Sequence, residues 1–308
     1  MKRKIISLFS ILLVLFLFSG CGSKKNNENG ERLRVGVTIN SLRDFAEYIG
    51  GDKIEVFSII PDGSDAHDFD PKPKDLNNLT NADIFVYNGL GMEEWINPIL
   101  STLEGKDVAI VEASNGIIPI KSLEINHDEE EHDEEEHTHG GDDPHVWLSL
   151  DNAIIQAGNI KDTLIKIDSN NKEYYEGNYE KLKAEFVSLK SEYEVKFKEV
   201  ENKNFVTGHA AFAYLCRDFG LNQNSIADVF GQGELTPKSL ENLISYCKEN
   251  GVKVIFSEST ASEKEAETLA REVNASIVKI YSLETKEDNK GYLEGMKYNL
   301  ETIYNSLK

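Results

Sequence analysis

The sequence of 308 residues is poor in cysteine, tryptophan, methionine and proline, with 3, 2, 3 and 7 of each. So few cysteines exclude a disulfide-rich scaffold, because such scaffolds need several pairs. One cysteine, Cys21, follows an apolar run near the start of the chain. The other two, Cys216 and Cys247, fall among apolar residues in helical patterns. This pattern is compatible with a single disulfide or with two buried thiols.

Positive charge is also scarce. The chain has 33 Lys and Arg against 54 Asp and Glu, a formal net charge of −21. This acidity argues against nucleic acid as a partner. The phosphate-binding motif G-x-x-x-x-G-K-[S/T] and the metalloprotease motif H-E-x-x-H are both absent. The chain therefore lacks the signatures of P-loop nucleotide hydrolysis and of one large class of zinc protease.

Histidine is rare but concentrated: five of the seven residues lie in the stretch HDEEEHDEEEHTHGGDDPH, at positions His127, His132, His137, His139 and His145. The first three recur every five residues, a spacing that fits neither a helix nor a strand, and no apolar side chain interrupts the stretch. It is therefore predicted to be a solvated loop. Eight carboxylates lie between His127 and His137, and they attract cations. We expect His127, His132, His137 and His139 to form a weak auxiliary metal site.

The first residues resemble a bacterial lipoprotein signal: MKRK precedes a short apolar run that ends in Ser-Gly-Cys. Cleavage is expected to remove residues 1–20 and to leave Cys21 as the lipidated N-terminus, followed by a flexible tether, residues 21–31. An uncleaved membrane anchor is the alternative. We therefore expect an exported protein, lipid-anchored to the outer face of the bacterial cell membrane.

Beyond the tether, short apolar runs alternate with helical patterns, which predicts an α/β fold with mainly parallel sheets flanked by helices. The pattern occurs twice, giving an N-terminal lobe, residues 32–170, that includes the His/acid-rich loop 126–143, and a C-terminal lobe, residues 203–308. Between the lobes, residues 171–202 carry apolar side chains at steps of three and four, typical of one long helix. A coiled-coil segment is the alternative, but one stripe of this length is better explained by packing along both lobes.

The two remaining histidines follow predicted strands in different lobes. His67 comes after a strand ending at Ile60, and His209 after one ending at Thr207. Ligands of such sheets bind beyond the carboxyl ends of the strands. His67, His209 and His145, which leaves the loop between them, are therefore predicted to converge on one metal cleft between the lobes. Asp68 and Asp70 are candidates for orienting an imidazole or for capping the helix that starts near Pro73.

Several segments resemble the zinc/manganese substrate-binding lipoproteins of bacterial ABC transporters, the ZnuA/AdcA-like family: PDGSDAHDFDP, DPHVWL, FVTGHAAFAYLCRDFG, GELTPKSL and YLEGMKYNL. The resemblance runs in order from Leu33 to the C-terminus. It implies that the metal ligands are His67, His145, His209 and, as the fourth, Glu284. Glu258 or a water molecule is the alternative for the fourth position.

The resemblance also implies a function. Three neutral imidazoles and one carboxylate suit tetrahedral Zn²⁺, whereas Mn²⁺ prefers more oxygen ligands. We expect a monomeric zinc-binding protein, not an enzyme, that delivers Zn²⁺ to an ABC permease with a separate ATPase. The alternatives are a manganese- or iron-binding protein of the same transporter class, a surface adhesin and a zinc hydrolase.

Deletion of residues 128–138 tests the role of the loop. We expect one tightly held zinc ion per chain to remain and the weaker additional ions to disappear, because loop imidazoles exchange metal quickly and do not supply the tight site. Isothermal titration calorimetry of both chains with zinc counts the two classes of ion. If the deletion also removes the tight ion, the loop supplies one of its ligands.

Overall fold

The computed structural model describes residues 32–121, 141–232, 235–259 and 261–308. The predicted signal peptide, Cys21, the tether and His127 to His139 all lie outside these ranges. Within them the chain forms two parallel four-stranded sheets, each flanked by helices. The predicted fold class, two α/β lobes joined by a long helix, is confirmed.

The sheet of the N-terminal lobe has the strand order β2-β1-β3-β4, and every neighbouring pair is parallel. Its inner strands are nearly continuous apolar runs, as expected for a sheet covered on both faces. The strands are β1 (Leu33–Val37), β2 (Ile54–Ser58), β3 (Ile84–Tyr87) and β4 (Ala109–Glu112).

The C-terminal lobe repeats this arrangement with the order β6-β5-β7-β8. Its strands are β5 (Asn204–Thr207), β6 (Asn222–Ser225), β7 (Val254–Ser257) and β8 (Ser276–Lys279). Strand β6 was not predicted: its sequence, NQNS, carries no apolar side chain and reads as part of a loop. It forms because its backbone pairs with β5 at the edge of the sheet, where a strand needs little apolar surface.

Nine α-helices lie within the described ranges. In the first half of the chain they are α1 (Asn40–Gly50), α2 (Pro73–Thr80), α3 (Ile96–Leu103) and α4 (Leu150–Ile167). The others are α5 (Lys172–Lys198), α6 (Ala213–Phe219), α7 (Pro237–Glu249), α8 (Glu263–Val273) and α9 (Tyr292–Ser306). Among the described residues, no helix is long and apolar enough to cross a membrane.

Helix α5 connects the two lobes. Its 27 residues span about 40 Å at 1.5 Å per residue. It packs against α1 and α4 of the N-terminal lobe and against α6 and α9 of the C-terminal lobe. Its buried side chains follow the predicted apolar stripe: Tyr175, Leu182, Phe186, Leu189, Tyr193 and Phe197.

An aromatic cluster connects the lobes at the middle of this helix. The ring of Phe186 lies 5.8 Å from that of Phe45 in α1 and 5.2 Å from that of Tyr292 in α9. All three side chains belong to one continuous apolar core that includes residues of both lobes. Because this core crosses from one lobe to the other, separating the lobes would expose it to water.

The two cysteines of the C-terminal lobe are free thiols in buried positions, so the buried-thiol alternative is the one observed. Burial raises the pKa of the Cys247 thiol to about 11. It also raises the pKa of Cys216 well above its usual range. Both side chains therefore act as small apolar residues.

We predict that Phe186→Ala lowers the free energy of unfolding by about 3–5 kcal/mol, because it removes a buried ring from the core shared by the lobes. The neighbouring Val187 is 49% exposed, so Val187→Ala is a matched control. Urea unfolding of both variants measures the difference. Equal losses of stability would show that α5 does not hold the lobes through its buried face.

Candidate metal centre

The four side chains expected to bind metal lie at the interface between the lobes, three of them after strands and one before a short turn. His67 lies in the loop after β2, His209 follows β5 and Glu284 follows β8. His145 directly precedes the 3-10 turn Val146–Leu148. All four are nearly excluded from solvent, with exposures of 8%, 0%, 4% and 4% for His67, His145, His209 and Glu284.

The side chains converge on the Glu284 carboxylate. Its Oε1 lies 3.6 Å from His145 Nε2 and 3.7 Å from His209 Nε2. A tetrahedral zinc ion with bonds of about 2.0–2.1 Å separates its ligand atoms by roughly 3.3–3.5 Å, so these distances fit one ion between them. Metal-binding atoms of His67, His145 and Glu284 all lie within 4.8 Å of one another. His209 lies beside this group, its ring centroid 5.3 Å from that of His145.

Two of the histidines are placed by the same local turn. The carboxylate of Asp65 accepts a hydrogen bond from the backbone N–H of His67, at 2.8 Å. Asp143 accepts one from the N–H of His145, at 2.9 Å. In both cases an Asp binds the backbone two residues later, which fixes the direction in which the histidine leaves the chain. The sequence signal for this turn is Asp-x-His.

Carboxylates also orient two of the imidazoles through their Nδ1 atoms. Asp143 Oδ1 lies 2.9 Å from His145 Nδ1, and Glu258 Oε1 lies 3.5 Å from His209 Nδ1. The contact of His145 is a hydrogen bond and that of His209 is a longer contact between charges, and in both rings the Nε2 atom faces Glu284. A carboxylate behind a metal-binding histidine fixes the orientation of the ring and raises its basicity.

Glu258 is therefore held on the far side of His209 from Glu284. Its Oε2 accepts a hydrogen bond from the backbone N–H of Gly208, at 3.0 Å. The approach is so close that a Cβ atom at position 208 would collide with this carboxylate, which explains the glycine in the sequence TGHAAF. Asp68 and Asp70, the orienting residues suggested by the sequence, are exposed and form no hydrogen bond with any described residue. Asp75, not Asp70, caps α2 by accepting a hydrogen bond from the backbone N–H of Lys72 at 2.9 Å.

The unpredicted strand β6 supplies a further positioning residue. Gln223 Nε2 donates a hydrogen bond to the backbone carbonyl of His209 at 2.8 Å, and its Oε1 accepts one from Phe212 N–H at 2.9 Å. The Thr207 hydroxyl donates to the same His209 carbonyl at 2.6 Å. Gln223 thus fixes the segment that carries His209. Only the pairing of β6 with β5 reveals this role, because a glutamine in a polar stretch carries no sequence signal.

In the metal-free site, burial and neighbouring charges shift the pKa values of the proposed ligands in different directions. Burial lowers the pKa of His67 to about 4, helped by the neighbouring His145. Burial alone would also lower the pKa of His209, but its contacts with Glu258 and Glu284 outweigh this effect and raise it to about 10. Burial opposes ionisation of Glu284, yet the charge of His209, 3.7 Å away, and of the other nearby imidazoles lowers its pKa to about 2. At neutral pH an imidazolium therefore neutralises the buried carboxylate.

Several buried polar atoms in the site have no hydrogen-bond partner among the described residues: both ring nitrogens of His67, Nε2 of His145 and both carboxylate oxygens of Glu284. Buried polar atoms are normally satisfied, because leaving them without a partner is costly. One metal-binding atom from each of these three side chains lies within 4.8 Å of the other two, and imidazole nitrogens and carboxylate oxygens are the types that bind zinc. A cavity of about 60 Å³ beside them is lined by Asp65, His67, Gly208, His209 and Glu284, among others.

The chain matches the sequence profile of the family described as "Zinc-uptake complex component A periplasmic" over residues 35–306. It is 41% identical to a "Putative metal-binding protein" of Treponema pallidum, over 94% of this chain and 93% of that protein. It is 38% identical to the "High-affinity zinc uptake system protein ZnuA" of Bacillus subtilis, with 100% and 99% covered. The chain therefore belongs to this family, and the predicted resemblance is confirmed.

Two further similar proteins are described with a different metal or with a second activity. The chain is 32% identical to the "Manganese ABC transporter substrate-binding lipoprotein PsaA" of Streptococcus mitis, with 99% of each chain covered. The solved laminin-binding protein of Streptococcus agalactiae, described as bifunctional "with adhesin and metal transporting activity", has a TM-score of 0.80 and 30% identity. That similarity covers 90% of this chain and 100% of the other.

We predict that Glu258→Gln lowers the pKa of His209 in the metal-free protein, because the charge behind the ring is lost while the amide oxygen can still accept from Gly208. Titration of the histidine resonances by NMR measures the shift. Glu55→Gln is the control, since Glu55 lies on β2 and pairs with Arg32 on the surface. An unchanged His209 pKa would show that Glu258 does not act on the ring.

Proposed function

We propose that this family member captures Zn²⁺ between its lobes, with His67, His145, His209 and Glu284 as the four ligands. The observation that supports this most strongly is the convergence of three imidazoles on one buried carboxylate, with both Glu284 oxygens lacking a hydrogen-bond partner among the described residues. A divalent cation at this point would satisfy those atoms together. The family itself is a metal-binding component of ABC uptake systems, and it is not a family of enzymes.

Glu284 is the proposed fourth ligand in preference to Glu258. One Glu284 oxygen is shared at 3.6–3.7 Å by two imidazoles, as expected for ligands around one ion. Glu258 faces the opposite nitrogen of His209 and is held by Gly208. With Glu284 in place the coordination shell is complete, so no position remains for the reactive water of a zinc hydrolase.

Zinc is the proposed cargo because of the donor atoms. Three nitrogen ligands and one carboxylate match a tetrahedral zinc site, whereas manganese is usually bound by more oxygen atoms in an octahedral arrangement. Manganese or iron remains the alternative within the same transporter class, since the relative PsaA is named a manganese-binding lipoprotein.

The proposed partners follow from the transporter class. The chain would deliver its ion to an ABC permease powered by a separate ATPase, and it would act as an exported monomer anchored by a lipid on Cys21. In this proposal residues 1–20 are a signal peptide and residues 21–31 a tether, followed by the two lobes, residues 32–170 and 203–308, around the linking helix, residues 171–202. His127, His132, His137 and His139 would bind further zinc weakly.

Adhesion is the second candidate function, since the similar laminin-binding protein is described as an adhesin.

Metal analysis of the full chain, purified in detergent, tests the proposal. After loading with zinc and dialysis, we expect one zinc ion per wild-type chain, because the weak loop ions are lost. Glu284→Gln should lose most of this zinc, since an amide oxygen carries no charge to offset the cation. Glu294→Gln, which changes an exposed glutamate in the first turn of α9, should retain it. No stoichiometric zinc in the wild type would overturn the proposed function.

A further inference from the structure

Two segments that carry proposed zinc ligands meet at the cleft. One, called here the His67 loop, runs from Pro61 to Pro71 after β2. The other, the Glu284 segment, runs from Tyr281 to Thr285 after β8. They differ in how firmly the rest of the protein holds them.

Hydrogen bonds fix the Glu284 segment at several points. The side chain of Asn299 in α9 bonds both the N–H and the carbonyl of Tyr281, at 2.9 and 2.7 Å. Trp147 Nε1 donates to the carbonyl of Ser282 at 2.7 Å. The carbonyl of Glu284 itself accepts from Asn40 N–H at 2.7 Å. Since Asn40 begins α1 and Asn299 lies in α9, both lobes hold this segment.

The middle of the segment is fixed by packing. Leu283 has a φ of 63°, a left-handed conformation that an L residue other than glycine adopts only when its surroundings enforce it. Its side chain lies against Gly295, where an added Cβ atom would come within 2.5 Å of Leu283 Cδ2. Leu283 is only 5% exposed. The backbone next to Glu284 therefore has little freedom to move.

The His67 loop is held much less firmly. Its own hydrogen bonds are local, from Ser64 N–H to the Pro61 carbonyl and from His67 N–H to Asp65. Within the described part of the chain, a single hydrogen bond leaves the loop, from Gly63 N–H to the hydroxyl oxygen of Thr285 at 2.5 Å. Thr285 is 5% exposed and directly follows Glu284, so this bond joins the two ligand-bearing segments.

We propose that Thr285 is a positioning residue whose hydroxyl latches the His67 loop over the bound ion and thereby sets the rate at which zinc leaves. This inference rests on the proposed zinc site. For the ion to leave, some ligand must withdraw first, and His67 lies on the segment with the fewest tethers. When the Gly63–Thr285 bond opens, the described residues hold the loop by packing, as between the rings of Phe69 and Trp95, 5.4 Å apart, and of His67 and Phe230, 5.7 Å apart. The bond from His67 to the ion is then the remaining polar tether.

Thr285→Val tests the latch, because valine keeps the branched shape of threonine and replaces its hydroxyl by a methyl group that cannot accept a hydrogen bond. Zinc is loaded into the full chain, and its dissociation is timed by stopped flow into excess chelator. Loss of one hydrogen bond predicts dissociation about five- to tenfold faster than in the wild type. Thr285→Ser, which restores the hydroxyl, should return the rate close to the wild-type value. Thr102→Val is the matched control, since Thr102 bonds only within α3.

A double-mutant cycle with His67→Ala separates the latch from a general structural effect. If Thr285 acts through the His67 loop, Thr285→Val should add no acceleration once the His67 imidazole is gone. Should Thr285→Val fold poorly, Thr285→Ala serves in its place, because its smaller side chain creates no clash.

The outcomes distinguish the two proposals. A wild-type chain that keeps one zinc ion, together with a Thr285→Val chain that releases it at the wild-type rate, would overturn the latch and leave the proposed function intact. Equal acceleration by Thr285→Val with and without His67 would also overturn it. A wild-type chain that holds no zinc would overturn the proposed function, and the latch with it.

Discussion

The structure around the cleft depends on one costly feature, a carboxylate buried among histidines. Glu284 is 4% exposed, and an ionised group removed from water must be paired with a cation or with hydrogen-bond donors. In the metal-free protein the imidazolium of His209 meets this requirement, which explains why its pKa rises to about 10 while that of Glu284 falls to about 2. A zinc ion would take over that role by displacing the proton, so proton and metal compete for one place.

The rest of the fold confines movement near this charge to small segments. A single apolar core extends through both lobes, and helix α5 contributes Phe186 to the aromatic cluster at its centre. Wide opening of the lobes would expose this core. Movement of a local loop would therefore release the ion at a smaller cost in free energy than opening of the lobes. Among the ligand-bearing segments, the His67 loop is held by the fewest hydrogen bonds.

Much of the fold was readable from the sequence, because buried parallel strands are apolar runs and helix α5 carries a regular apolar stripe. Strand β6 was not, since NQNS gains its order only from pairing with β5, and the role of Gln223 was missed with it. His67 and His209 were indicated by their positions after strands, and His145 by its place at the end of the loop between them. The Asp-x-His turn that places His67 and His145 emerged only from the structure. The choice of Glu284 came from the family resemblance alone. Its placement depends on a left-handed Leu283 packed on Gly295, a contact between residues whose pairing no local pattern shows.

X-ray absorption at the zinc K edge tests the central claim most directly, because it reports the atoms bound to the metal. For the zinc-loaded full chain after dialysis, the account predicts four nitrogen and oxygen neighbours at about 2.0–2.2 Å, with the outer-shell scattering of three imidazole rings. The Glu284→Gln chain, which should lose most of its zinc on dialysis, is measured before that step with less than one zinc ion per chain, and there the oxygen contribution should change while the imidazole scattering remains. A shell of six oxygen-rich neighbours, or scattering from fewer than three imidazoles in the wild type, would contradict it.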